Sequence, residues 1–105
     1  MRSPMDDLEA RLVDLLALLE DCGERYWHLR LSMALGSLQA NRLGGISQVL
    51  GAFGGEGTLS DLELLTDEAT RDPRRHLLAN RQLERLRGPL FTLANEISNG
   101  VARGS

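Results

Sequence analysis

Apolar residues recur along this chain at alternating steps of three and four, the spacing that keeps one face of an α-helix in register. From residue 5 to 19 the stripe is Met5, Leu8, Leu12, Leu15 and Leu19, widened by Leu16, while Asp7, Glu9, Asp14, Glu20 and Asp21 fall mostly away from it. Ser3 before Pro4, followed by Asp6 and Asp7, predicts an N-cap, a proline in the first turn and acids at the positive end of the helix dipole. Gly23 is the expected stop, in the left-handed conformation that glycine adopts at low cost.

A second helix is predicted from Glu24 to about Leu43. Trp27, Leu31, Ala34, Leu35 and Leu38 form one face, and Tyr26, Leu29 and Met33 form a second apolar edge, so the pattern predicts burial on more than one side. Gly36 inside it is read as a close helix crossing, because a mid-helix glycine otherwise costs about 1 kcal/mol relative to alanine. Gly44 and Gly45 are expected to end this helix, and Ile46, Val49, Leu50 and Phe53 mark a short third one.

The last helix has the longest unbroken pattern. Asp72 is its expected N-cap and Pro73 its first residue, after which Ala79, Leu83, Leu86, Leu90, Leu93 and Ile97 keep the four-three spacing. Gly88-Pro89 falls inside that register, where proline removes one donor and crowds the preceding turn, so a kink is expected near residues 85 to 89 rather than an end. Between the third helix and this one, Leu59, Leu62, Leu64 and Leu65 fit either a helical turn or a short extended segment.

The fold class implied is all-α: a single compact bundle of about four helices over residues 5–102, with a Gly-rich loop before a long, Pro-kinked C-terminal helix. Composition agrees with it. The 105 residues suit one domain, and 22 are leucine against four aromatics, a balance that favours leucine-packed helices over a sheet rich in β-branched and aromatic residues. Cys22 stands alone, which excludes an intrachain disulfide or a cysteine metal cluster. With no apolar run long enough to cross a membrane and an acidic start where a signal peptide would be basic, the cytoplasm is the expected location.

Charge is uneven. Residues 1–70 hold five arginines and twelve acids, and residues 71–105 hold seven arginines and three acids, so the two parts attract or present faces of opposite sign. The arginines of "RDPRRHLLANRQLERLR" are the one basic footprint. A net charge of −3 and the acidic first part oppose nucleic-acid binding.

The stretch "GAFGGEGTLSDLELL" departs from the helical pattern. A phosphate-cradling loop would need a leading strand and a following lysine, and here Glu56, Asp61 and Glu63 would meet the anion instead. Gly54, Gly55 and Gly57 are therefore read as a structural hinge, with Gly54 or Gly55 at a positive φ angle, Thr58 or Ser60 capping the segment after the loop, and Asp61 bonding loop N–H groups. His28 and His76 have no second ligand at helical spacing, and no serine lies in a GxSxG elbow. Cys22, near a helix C-terminus beside Asp21 and Glu24, is a poor thiolate and is read as a small filler. No residue nominates itself for catalysis, so the chain is read as a non-enzyme without a cofactor or metal.

"VLGAFGGEGTLSDLELL", preceded by "ERYWHLRLSMAL" and followed by "NRQLERLRGPLFTLANEI", resembles a family of small uncharacterised bacterial helical proteins with a GGxGSxxDL loop. The resemblance covers about residues 8 to 97, and its specific part is Gly54, Gly55, Gly57, Asp61 and Leu62. Phe53, Thr58 and Ser60 depart from it, standing where the family has tyrosine, serine and asparagine. The resemblance implies an immunity-type role, since small acidic helical proteins of this kind accompany bacterial toxin loci. On that reading Glu56, Asp61, Glu63, Asp67 and Glu68 bind a basic toxin or effector domain, with no nucleic acid or membrane involved. The alternative is a self-associating scaffold or a small-molecule binder with a pocket between the second and last helices, walled by Trp27. A homodimer is compatible with either: the stripe from Ala79 to Ile97 would serve an intramolecular core or a homodimer seam, and the core is the expectation.

Overall fold

The computed structural model describes residues 3–40, 44–53 and 59–102, and among these the only regular secondary structure is helical, with no strand. In order come α1 (Pro4–Asp21), α2 (Arg25–Gln39), α3 (Gly44–Gly51), a 3-10 turn (Leu59–Asp61), the single-turn α4 (Glu68–Arg71) and α5 (Pro73–Ala102).

The punctuation predicted for α1 is present at both ends. The Asp6 N–H donates to Ser3 Oγ at 3.1 Å, with Pro4 opening the helix. At the far end Gly23 has φ +74°, and the Glu24 N–H reaches back to the Leu19 carbonyl at 2.9 Å, satisfying one of the last free acceptors. The start of α5 also follows the pattern: the Arg75 N–H donates to Asp72 Oδ1 at 3.2 Å, and Pro73 is the first helical residue. The helix then runs through Gly88-Pro89 to Ala102 without ending.

Contacts pass around a closed circuit, α1 on α2, α2 on α3, α3 on α5 and α5 on α1, while α4 sits on α5. Inside the circuit lies a leucine core. Leu8, Leu12, Leu15 and Leu19 of α1, Leu31 and Leu38 of α2, Val49 of α3, and Leu83 and Leu90 of α5 are essentially closed to solvent. Leu59 and Leu64 join them from the connecting segment. Close packing of this kind makes each leucine worth roughly 2–5 kcal/mol against truncation to alanine.

Three expectations about α2 are corrected. It stops at Gln39, short of Leu43, and Gly44 and Gly45 open α3 instead of closing α2. The close approach belongs to Gly45, not Gly36: a Cβ on Gly45 would lie 2.8 Å from the Leu38 backbone nitrogen, whereas one on Gly36 would meet nothing within 4 Å. The folding of α3 back onto α2 thus requires a residue without a side chain at position 45. The third correction concerns the second apolar edge. Tyr26, Leu29 and Met33 are 61%, 64% and 61% exposed, because α2 packs on α1 and α3 and leaves its outer side uncovered.

Candidate interaction surface beside the glycine loop

Residues 59–71 are neither a helix nor a free loop. They form a strap laid along α5, built from one 3-10 turn, an irregular stretch and one turn of α4. The stretch left open between helix and extended segment thus has a helical turn at each end and an irregular segment between them. Leu59 and Leu64 anchor it from below, with both side chains fully buried.

Two side chains of α5 hold its backbone. Asn80 Oδ1 accepts from the Leu64 N–H at 2.8 Å, while Asn80 Nδ2 donates to the Leu64 carbonyl at 2.9 Å and to the His76 carbonyl at 2.8 Å. Arg87 Nη1 donates to the carbonyls of Leu59 and Leu62 at 3.1 and 3.0 Å, and its Nη2 pairs with Glu84. An irregular segment has no ladder of its own, so its buried backbone groups need side-chain partners, and these two supply them. Leu65, at φ +55°, is the one non-glycine residue with a positive φ among those described. The left-handed region costs a leucine about 1–2 kcal/mol, which the anchors on either side outweigh.

The base of the glycine loop is closed by two bonds. The Leu59 N–H donates to the Ala52 carbonyl at 2.8 Å, and the Ser60 hydroxyl donates to the Phe53 carbonyl at 3.2 Å. In place of the expected cap accepting an N–H, Ser60 is a donor back across the loop, since it already lies inside the 3-10 turn. Gly54, Gly55, Glu56, Gly57 and Thr58 lie outside the described residues, and so do the positive φ angle and the threonine cap expected there.

The remaining acids of the expected partner set share this strap. Asp61 ends the 3-10 turn on the surface. Glu63 is exposed and lies 3.5 Å from His76 Nε2, a contact that is electrostatic when the imidazole is protonated and lacks hydrogen-bond geometry. Asp67 precedes α4 with no side-chain cap bond, and its carbonyl accepts from Arg71 Nε at 3.3 Å. Glu68 pairs with Arg71 at 3.6 Å. Asp61, Glu63 and Asp67 are exposed along the strap and Glu68 is partly buried, with Glu68 paired to Arg71 and Glu63 beside the His76 imidazole.

Beside the base of the loop, Phe53, Ser60, Glu84, Arg87, Gly88 and Phe91 line an open cavity of about 390 Å³. Phe53 and Phe91 meet at 5.1 Å between ring centroids. The arginine there is already shared between two carbonyls and Glu84, so it offers no free charge to an anion. Trp27 does not form the ligand wall considered for the second helix: it is 6% exposed, meets Tyr26 edge-on, and has the Arg30 guanidinium 5.1 Å from its ring.

Cys22 is half-buried. Burial raises its pKa, the Asp21 and Glu24 carboxylates add to the rise, and Arg75 opposes it. No group of three or more His, Cys, Asp or Glu side chains suited to a metal occurs among the described residues. No described helix is long and apolar enough to cross a membrane.

Asn80 and Arg87 are not among the residues that sequence reasoning singles out. Their signal is their spacing, since His76, Asn80 and Arg87 fall at steps of four and seven along one line of α5, just beside the apolar stripe. Polar residues on such a border are half-buried and must find partners.

Compared with known proteins, the chain matches no family model, no curated protein and no solved structure.

Proposed function

We propose that this protein works without catalysis, as a four-helix bundle that binds a basic protein partner in the cytoplasm in the manner of an immunity or antitoxin-type inhibitor. The observation that carries this reading is the anchored acidic strap. Residues 43–70 contain five carboxylates and no basic side chain, and the described part of that run is fixed to α5 by Asn80, Arg87, Leu59 and Leu64. A segment held in one conformation loses little entropy on binding, so its charges act at full effect on a complementary surface. The resemblance to the family with the GGxGSxxDL loop supports the same reading.

The test is co-expression with toxic products encoded beside this gene. Relief of growth arrest is expected, together with a complex that weakens as salt rises, because the strap charges are solvent-facing and screened. Asp61→Asn, Glu63→Gln and Asp67→Asn combined should abolish protection without unfolding the protein. Elution of the protein alone at every salt concentration, with competition between neighbouring cells unchanged on loss of the gene, overturns the reading.

A further inference from the structure

The outer side of α2 carries a second helical seam that no other described helix covers, with only the Arg30 guanidinium lying against it, 5.7 Å from the Tyr26 ring. Tyr26, Leu29, Met33, Gly36 and Ala40 are all exposed and succeed one another at steps of three, four, three and four. They lie roughly opposite the buried stripe of Trp27, Leu31, Ala34 and Leu38. Alternation of this kind is the pattern by which one helix seats another. The sizes along the seam are graded, with the large side chains at its N-terminal end and Gly36 and Ala40 at its C-terminal end.

We infer that this face pairs with α2 of a second copy of the chain, antiparallel, about a twofold axis beside Met33. In that register Tyr26 lies over Ala40 of the other copy, Leu29 over the Gly36 region, and Met33 against Met33. Each large side chain meets a small one. A parallel pairing would set Tyr26 on Tyr26 and leave glycine opposite glycine, so shape favours the antiparallel one. The space outside Gly36, where an added Cβ would meet nothing, is then the place of close approach that a mid-helix glycine permits.

Charge makes the same choice. Arg25 and Arg30 flank the N-terminal half of the seam, and no carboxylate flanks it between residues 25 and 40. A parallel pair would bring the four arginines together. The antiparallel pair separates them and sets each couple near the C-terminal end of the opposite helix, where carbonyl dipoles favour cations and where α2 has no basic residue in its own last turn. Beyond Arg30 the described residues carry no charge through α3, whose Gln48 lines a cavity together with Met33 and Arg30. Depletion of charge marks the centre of a protein interface.

The area sets the strength. The seam, Tyr26, Leu29, Met33, Gly36 and Ala40 with Gln48 beside Met33, is far smaller than the roughly 20–30 residues per partner of a standard interface, so the pair belongs with small, reversible associations. This face is separate from the acidic strap, and dimer-breaking variants should leave partner binding there intact.

The experiment is sedimentation equilibrium over roughly micromolar to millimolar protein, with helix content followed by circular dichroism. A concentration-dependent monomer–dimer equilibrium is expected. Leu29→Glu and Gly36→Leu should each weaken it by at least tenfold with helicity retained. In a Cys22→Ser background, Met33→Cys should cross-link to itself under mild oxidation. Tyr26→Cys should cross-link with Ala40→Cys in a mixture and not with itself. A monomer at every concentration overturns the proposal, as does a dimer indifferent to both seam variants. Self-cross-linking of Tyr26→Cys would establish a parallel pair and overturn the register.

Discussion

Asn80 holds Leu64 by both of its backbone groups, accepting from the N–H at 2.8 Å and donating to the carbonyl at 2.9 Å. One amide side chain thereby does for the strap what a neighbouring strand does in a sheet. Asn80→Ala leaves the Leu64 N–H and two carbonyls without these partners in a half-buried site. A loss of about 2–3 kcal/mol in urea unfolding is expected. Asn80→Asp keeps the acceptor and removes both donated bonds, and should fall between. A loss below about 0.5 kcal/mol for the alanine variant would show that the strap does not depend on this residue.

Gly45 and Gly36 should respond to alanine in opposite directions. At 45 the new methyl group would meet the Leu38 backbone at 2.8 Å, so α3 must move off α2, at a cost of about 1–3 kcal/mol. At 36 there is open space, and alanine should stabilise the dilute monomer by up to about 1 kcal/mol. Thermal unfolding of both variants at low concentration gives the comparison, and equal shifts would contradict the packing described.

Pro89 stands on the exposed side of α5 in mid-helix. Replacing it by alanine restores one backbone donor and removes a ring from the preceding turn, and a gain of about 1–3 kcal/mol is expected from denaturant titration. Destabilisation would mean that the helix needs the ring in order to meet its neighbours.

Alkylation of Cys22 provides a pH measurement. Burial and the two adjacent carboxylates disfavour its thiolate, so the rate should be low near neutral pH and should rise with a midpoint above that of an ordinary thiol. Arg75 is the one charge acting the other way. Arg75→Gln should move the midpoint further up and slow the reaction across the titration range. A midpoint at or below the usual thiol value would contradict this environment.

Much of the helical architecture is legible in the sequence because its signals are local. Ser3, Gly23 and Asp72 act at the ends where their chemistry places them, and the fully buried leucines of α1 and α5 all belong to the four-three stripes, with Leu18 a further buried leucine outside them. Periodicity tells less about α2, where it finds apolar positions without saying which neighbour covers them. Tyr26, Leu29 and Met33 look like core by type, and only the placement of α1 and α3 reveals that they are not. The two glycine roles are exchanged for a similar reason, since a close approach depends on what arrives from elsewhere in the chain. On the strap, acidic residues are visible in sequence, but their anchoring by Asn80 and Arg87 spans 16 to 28 residues and belongs to the tertiary structure.

The two bonds that join Ala52 to Leu59 and Phe53 to Ser60 tie together the residues on either side of positions 54–58. The chain leaves the described fold and re-enters it at nearly the same place. Lengthening a segment closed in this way costs only about 0.6 kcal/mol for each doubling, because its ends are already held together. Residues inserted between positions 54 and 58 should therefore leave the leucine core stable.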